Sequence, residues 1–420
     1  MAHIVKTPAG RWRANWRDPA GRQRAKTFKT KRDAARFLAE LDAARNRGLY
    51  IDPHAGKVQF ANYLPRWVVG RNHEANTTFR DQGIMRNHVV PRWGDVPLAQ
   101  IDHTSVQAWI ADLSSRLSPA TVRQCHRLFS SVMKSAARDR TIGHNPCEDV
   151  RLPPLRVKHD RDEQAISRDT FVRQLLSAIP ERYRALVAVA GGTGLRWGEC
   201  LGLRIDAIDL EARIVHVRRV VIEVNGKVTS KGHPKSQAGR RTVPLPEFAA
   251  RLLRDHMRRY APARTGEVFT NAAGGPLRRS TWRRRVWRPA LVRAGMLGQI
   301  VQAAPKQYRA SWQDEAGDEQ SAMFRTEPEA VNEVVSQAAG GLRFHDLRHS
   351  YATWLVSDGV PINDAQRLLG HSRASTTLDL YTHHQRELDK RVGDLFADFS
   401  LTSDADDVST DDDFEDGNGG

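Results

Sequence analysis

The sequence predicts a multidomain α+β protein. It reads as a small three-stranded β-sheet plus helix domain, then an all-helical bundle, then a larger, mainly helical domain with a small antiparallel sheet. Three observations predict this. At 420 residues the chain is too long for one ordinary core, and roughly 150 residues per domain suggests about three. Residues 1–52 alternate β-type segments with turn signals, whereas residues 58–150 show only helical spacing of apolar positions. Residues 151–164, RLPPLRVKHDRDEQ, join Pro-Pro to dense charge and read as an interdomain linker.

The formal net charge is +16. Residues 404–420 hold eight acids and no Lys or Arg; without them 65 basic residues face 41 acidic ones, a net +24. Such an excess points to a polyanionic partner, with nucleic acid ahead of an anionic membrane. No apolar run approaches the roughly 20 residues that span a bilayer, and the N-terminus lacks a signal-peptide apolar region, so a cytoplasmic protein is expected. Cys125, Cys147 and Cys200 are scattered, in neither disulfide nor zinc spacing, and read as buried small side chains.

In the first domain, HIVKT, RWRANWR and RQRAKTF are separated by Pro-Ala-Gly and Asp-Pro-Ala-Gly turns and read as three antiparallel strands. Thr30, with Asp33 three residues on, starts a helix whose apolar face is Phe37, Leu38, Leu41 and Ala44. Trp12 or Trp16 is expected beneath that helix, with Arg11, Arg13, Arg17, Arg22 and Arg24 projecting to solvent. A basic ribbon of this width fits a DNA major groove.

In residues 58–150, Thr104 is expected to cap a helix bearing Val106, Trp109, Ile110 and Leu113. Ser118-Pro119 opens another, with Val122, Cys125, Leu128, Phe129 and Val132 on one stripe. A four- or five-helix bundle follows, without a chemical motif of its own. Beyond the linker, helices are expected around 168–179, stopped by Pro180, and around 183–191. Strands are expected at 214–224 and 240–245, where β-branched residues alternate with Arg, and helices over most of the remainder.

The third domain carries the chemistry. Arg196 in GTGLRWGE follows three glycines, so its backbone can approach a ligand closely. A planar guanidinium there can grip two non-bridging oxygens of one phosphate, with Glu199 one turn on to hold it. Lys235 stands in KSQAGRR, between two strands. His345 and Arg348 in HDLRH are three apart and address one face, while His349 and Asp346 suit packing and capping. His371 follows Gly370 in LLGHSRASTTLDLY, and Tyr381 lies ten residues further on. Two Arg, two His and one Lys are what a phosphate would need if a weak phenol nucleophile were to attack it. The His residues lack acidic neighbours at ligand spacing and no Cys-x-x-Cys occurs, so neither metal nor other cofactor is expected.

These five motifs, in this order, resemble the tyrosine recombinases, also called phage-type integrases. The resemblance implies an arm-type DNA-binding domain at 1–52, a helical core-binding domain at 58–150, a linker at 151–164 and a catalytic domain at 165–400. It implies Tyr381 as nucleophile, Lys235 as general acid, and Arg196, His345, Arg348 and His371 as phosphate-binding groups. The product would be a 3′-phosphotyrosyl link with a free 5′-hydroxyl. The implied partners are double-stranded DNA bearing attachment sites, a homotetramer assembled on it, and an excisionase or DNA-bending host factor; no membrane is involved.

Leu388, Val392, Leu395, Phe396 and Phe399 form one helical stripe, suited either to its own domain or to a neighbouring protomer. Residues 304–340 carry seven acids and three bases, lengthen the gap between Lys235 and His345 beyond the family's habit, and read as an exposed insertion away from DNA. Residues 401–420 read as an acidic disordered tail. The reading is a site-specific recombinase that integrates and excises a phage or other mobile element. A type IB-like topoisomerase and a catalytically silent architectural DNA-binding protein are the alternatives.

Overall fold

The computed structural model describes residues 2–18, 21–46, 55–69, 71, 75–155, 165–231 and 239–370. The chain divides into two compact units, residues 1–158 and 159–420. Among the described residues no helix is long and apolar enough to cross a membrane.

The first unit opens with β1 (His3–Lys6), β2 (Trp12–Arg17) and β3 (Gln23–Phe28), an antiparallel meander followed by α1 (Lys31–Asn46). Thr30 accepts the Asp33 backbone N–H at 3.1 Å and starts the helix as its residue type predicts. Strand alternation places Trp12, Ala14 and Trp16 toward α1, where Phe37 meets the Trp16 ring at 5.3 Å and Phe28 at 5.2 Å.

The bundle follows: α2 (Phe60–Val69), α3 (Ala75–Ile84) running through a π-helical turn Met85–Val89 into α4 (Val90–Trp93), α5 (His103–Ser114) and α6 (Pro119–Arg138). The stripe expected on α6 is buried entirely, and Phe129 stacks on Trp93 at 5.2 Å while meeting Phe60 and Trp109. The cap of α5 is a correction. Asp102 holds that place, accepting Ser105 N–H at 2.7 Å, and Thr104 lies inside the first turn.

In the second unit, a π-helical turn Thr170–Leu175 leads to α7 (Leu176–Ala178), then α8 (Glu181–Thr193) and α9 (Trp197–Leu201). The single strand expected at 214–224 is two: β4 (Ile208–Asp209), β5 (Ile214–Val217) and the later β8 (Arg241–Pro244) form one sheet, while β6 (Val220–Val224) pairs with β7 (Lys227–Lys231) in another. Packing forces the break. A Cβ at Gly198 would lie 2.4 Å from the Val221 carbonyl and one at Gly202 2.7 Å from that of Arg219, so α9 presses backbone to backbone on the second ribbon.

The chain continues through α10 (Glu247–Arg259), α11 (Arg279–Trp282) and α12 (Arg288–Arg293) to β9 (Gln299–Ala304), β10 (Gln307–Gln313), β11 (Glu319–Phe324) and α13 (Glu327–Gln337). The expected exposed insertion is therefore a second three-stranded meander followed by a helix, the topology of the first domain. It is built into the core. Ala310, Trp312, Ala330, Val331 and Val334 join the main hydrophobic cluster. Buried Arg288 donates to the carbonyls of Val335 at 2.9 Å, Ala338 at 2.6 Å and Gly340 at 3.3 Å, satisfying the C-terminal end of α13. Finally, α14 (Asp346–Ser357) packs on α8, and α15 (Ile362–Leu369) ends at Gly370.

Candidate active site

Helix α8 ends in a left-handed turn at Gly194, φ 65°. A side chain there is excluded twice, by that φ and because its Cβ would lie 2.5 Å from Tyr351 Cδ1. The turn delivers Arg196 to the start of α9. Its backbone N–H donates to Glu199 Oε2 and its Nη1 to Oε1, both at 2.9 Å, so Glu199 holds Arg196 from backbone and side chain together. Arg196 remains 39% exposed while Glu199 is 3% exposed, which leaves the guanidinium open to a ligand and the carboxylate closed to it.

A residue that motif reading passed over completes this pair. Arg241, on β8, donates to Glu199 from Nη2 at 2.9 Å and from Nη1 at 3.3 Å. Its position was available as a signal, because it is the terminal Arg of KSQAGRR. Burial pushes the Glu199 carboxyl up, but the Arg241 hydrogen bonds and the charges of Arg241 and Arg196 outweigh it and hold the pKa at about 2.

Arg348 rises from α14 and is 3% exposed. Its Nη1 donates to the Gly194 carbonyl at 2.9 Å and its Nη2 to that of Leu369. Burial and then the Arg196 charge lower its pKa to about 9, which leaves it a cation at neutral pH. His345 stands at the N-terminal boundary of α14, its ring 5.1 Å from that of His349. The residue remains solvent-accessible. Desolvation where its ring faces protein, then the charges of His349, Arg348 and Arg196, lower its pKa to about 4. Asp346 is buried and accepts the Arg343 backbone N–H at 2.7 Å, a capping role as expected.

Arg196, Glu199, His345 and Arg348 are thus brought together around one turn, with two guanidiniums and a neutral imidazole suited to an anion carrying several acceptor oxygens. Lys235, His371 and Tyr381 lie outside the described residues, as do the stripe from Leu388 to Phe399 and the acidic tail. Among the described residues no cluster of His, Cys, Asp and Glu could hold a metal ion. The three cysteines are buried and burial raises their thiols, Cys125 to about 11 and Cys147 to about 12, which disfavours the reactive thiolate.

The N-terminal sheet places the five expected arginines unequally. Arg13 and Arg17 alternate with Trp12 and Trp16 and lie on the face away from α1, and Arg11 is exposed just before β2. Arg24 departs from expectation. It pairs in register with Trp16, on the helix side, and its Nη2 reaches the buried Asp18 carboxylate at 3.1 Å. Arg22 is bound to the same carboxylate at 2.9 Å.

Two basic grooves went unnoticed in the sequence. One, about 550 Å³, lies between α2 and α6 and is lined by Arg66, Arg71, Arg127, Lys134 and Arg138. The three from α6 recur at helical spacing opposite its buried stripe, a signal that periodicity carries. The other, about 510 Å³, is lined by Arg204, His216, Arg218, Arg219, Arg240 and Arg241, drawn from separate segments.

The chain matches the Phage integrase family over residues 168–313 and 318–387 and the N-terminal domain of phage integrases over residues 3–47. It is 27% identical over 410 residues to a putative prophage phiRv2 integrase of Mycobacterium tuberculosis, covering 94% of this chain and 95% of that one. It is 26% identical over 391 residues to a XerC-like tyrosine recombinase of Caldanaerobacter subterraneus, covering 87% and 90%. Among solved structures its fold is similar to the Tn1549 transposon integrase with a circular intermediate DNA, TM-score 0.55 at 18% identity, covering 79% of this chain and 99% of that one. It is also similar to a lambda integrase dimer bound to a core site, TM-score 0.52 at 14% identity, covering 90% and 93%.

Proposed function

The chain belongs to the phage integrase family and is a tyrosine-type site-specific DNA recombinase, and from that premise we propose that Tyr381, Arg196, Lys235, His345, Arg348 and His371 form its active site. The observation that carries this assignment is the convergence on the Gly194 turn. Arg348 donates to the turn's carbonyl, Arg196 emerges two residues later, and His345 lies within reach of both charges. Two guanidiniums so placed can bind both non-bridging oxygens of one phosphodiester and stabilise the charge that grows there during attack.

Tyr381, as the phenolate that the surrounding cations favour, attacks phosphorus, the bond from phosphorus to the 5′ oxygen breaks, and Lys235 gives that oxygen its proton. The DNA is left with a 3′-phosphotyrosyl link and a free 5′-hydroxyl. A 5′-hydroxyl from a second strand then attacks the same phosphorus, gives its proton to the now neutral lysine and releases Tyr381 as the phenolate. Because the phosphotyrosyl bond keeps the energy of the phosphodiester, exchange needs no ATP.

The chain's substrate in this reading is duplex DNA bearing attachment sites, bound by an arm-type domain at 1–52, a core-binding domain at 58–150 and the catalytic domain at 165–400. The exposed Arg13 and Arg17 and the groove of Arg127, Lys134 and Arg138 support it, as do the DNA-bound Tn1549 and lambda integrases of similar fold. The assembly is a homotetramer on two duplexes, with an excisionase or a bending factor setting direction, and the element moved is a phage or a related mobile element.

The test is to incubate the protein with a phage or genomic DNA library, trap adducts with denaturant, digest, and locate the nucleotide by mass spectrometry. Nucleotide on Tyr381 is the expected result, and the attached DNA then gives the site. Nucleotide on another residue, or no adduct despite salt-sensitive binding to that DNA, overturns the assignment.

A further inference from the structure

Arg241 has a side chain only 4% exposed, and among the described residues its guanidinium donates to protein groups. Besides Glu199, it donates from Nε to the Leu368 carbonyl at 2.6 Å and from Nη1 to that of Gly239 at 3.3 Å. The two carbonyls clamp the guanidinium at fixed height, and its fork then meets both oxygens of Glu199. Glu199 accepts from Arg196 through the same two oxygens. One carboxylate is therefore shared by two guanidiniums. That has a consequence for charge. Were Glu199 paired with Arg196 alone, its negative charge would neutralise the cation meant for the phosphate. With Arg241 drawing on the same carboxylate from inside, the cluster keeps one net positive charge, and it is the exposed member that shows it.

We propose that Arg241 is a positioning residue of this recombinase, holding Arg196 in orientation and leaving its charge available to the scissile phosphate through the carboxylate of Glu199 that they share. The proposal rests on the reading that Arg196 binds that phosphate. Arg241 touches neither DNA nor nucleophile in this role, so its loss slows cleavage and spares binding.

The experiment is single-turnover cleavage on the attachment site recovered by adduct sequencing, with site affinity and melting temperature measured in parallel. Arg241→Gln is expected to slow cleavage by about 10- to 100-fold, the range typical of groups that orient a functional ligand. Arg241→Lys, which keeps the charge and loses the fork, is expected to restore part of that rate. Affinity is expected to change by less than about 3-fold, since it comes from many distributed phosphate contacts. The decisive comparison is the pair Arg196→Lys and Arg196→Lys/Arg241→Lys. If Arg241 acts through Arg196, the double variant cleaves no more slowly than Arg196→Lys alone. Fully multiplicative losses, or wild-type cleavage by Arg241→Gln, overturn the proposal. Should Arg241→Gln fail to fold, the lysine variants carry the same comparison, because they keep the buried charge. Wild-type cleavage by Arg196→Lys is a separate result that overturns the underlying site assignment.

Discussion

Arg196 and Arg348 are both arginines beside one turn, yet they are held for different purposes. Arg348 gives two of its five donors to buried carbonyls, on Gly194 and Leu369, so it joins α8, α14 and the end of α15 as well as facing a ligand. Among the described residues Arg196 gives its side chain to Glu199 alone, and it stays 39% exposed. Both Arg348→Ala and Arg196→Ala are expected to cut adduct formation by roughly 100- to 1,000-fold, as removal of a transition-state donor does. Only Arg348→Ala should also lower the melting temperature, because it leaves two buried carbonyls unpaired at about 1–3 kcal/mol each. Equal melting temperatures for the two would contradict this division. pH separates a second pair. His345 titrates at about 4 in the folded chain, below the roughly 6.5 of an unfolded histidine, so the unfolded state binds its proton first and stability is lost as pH falls through that window. Glu199, at about 2 against an ordinary 4.5, adds a second loss from about 4.5 downward. Thermal unfolding followed from pH 7 to 4 should show a decline that His345→Asn flattens in its upper part. Identical pH profiles for that variant and the wild type would remove His345 as the cause. Motif spacing identified all of these residues except Arg241. It missed that one because a buried arginine and a surface arginine look alike in a string of basic residues.

Elements repeat the lesson at larger size. The stripe on α6 was legible because one helix carries all the information: Val122, Cys125, Leu128, Phe129 and Val132 are spaced for one face and all are buried. The cap of α5 was misplaced because Asp102 and Thr104 are both capping types two residues apart, and the bond that decides between them is made by Ser105. The split between β5 and β6 was not legible at all, since it is imposed by α9, whose Gly198 and Gly202 come from a different stretch of chain. Gly194→Ala is expected to destabilise the second unit by more than the roughly 1–2 kcal/mol of a left-handed alanine, as the Tyr351 ring must also move. A denaturant midpoint unchanged from wild type would show that the turn relaxes. The sheet β9–β11 was read from its charge as an appendage, and its inner face proves to be core. Trp312→Ala should therefore cost about 3–5 kcal/mol, whereas Val301→Ser, on the outer face at 58% exposure, should stay within about 0.5 kcal/mol. Comparable midpoints for the two variants would argue that the module folds apart from the core.

Across the whole molecule, the excess of positive charge sets how strongly DNA binding depends on salt. Arg127, Lys134 and Arg138 line one groove, and replacing each by Gln should weaken binding similarly on all sequences and reduce the slope of log affinity against log salt by about 1. Arg24→Gln should leave that slope alone, because its charge is turned toward Asp18 on the covered side of its sheet. An equal effect from Arg24 would mean that this sheet meets DNA by its other face. The sequence by itself determined the family and the polyanionic partner, because each of these is written in composition or in the spacing of motifs. Only the tertiary structure decided which charges are committed to protein groups and which face outward. It showed Arg241 joined to Glu199 across 42 residues and Arg348 to Gly194 across 154. A salt bridge or a carbonyl cap forms between groups adjacent in space, and no local window of sequence contains both partners.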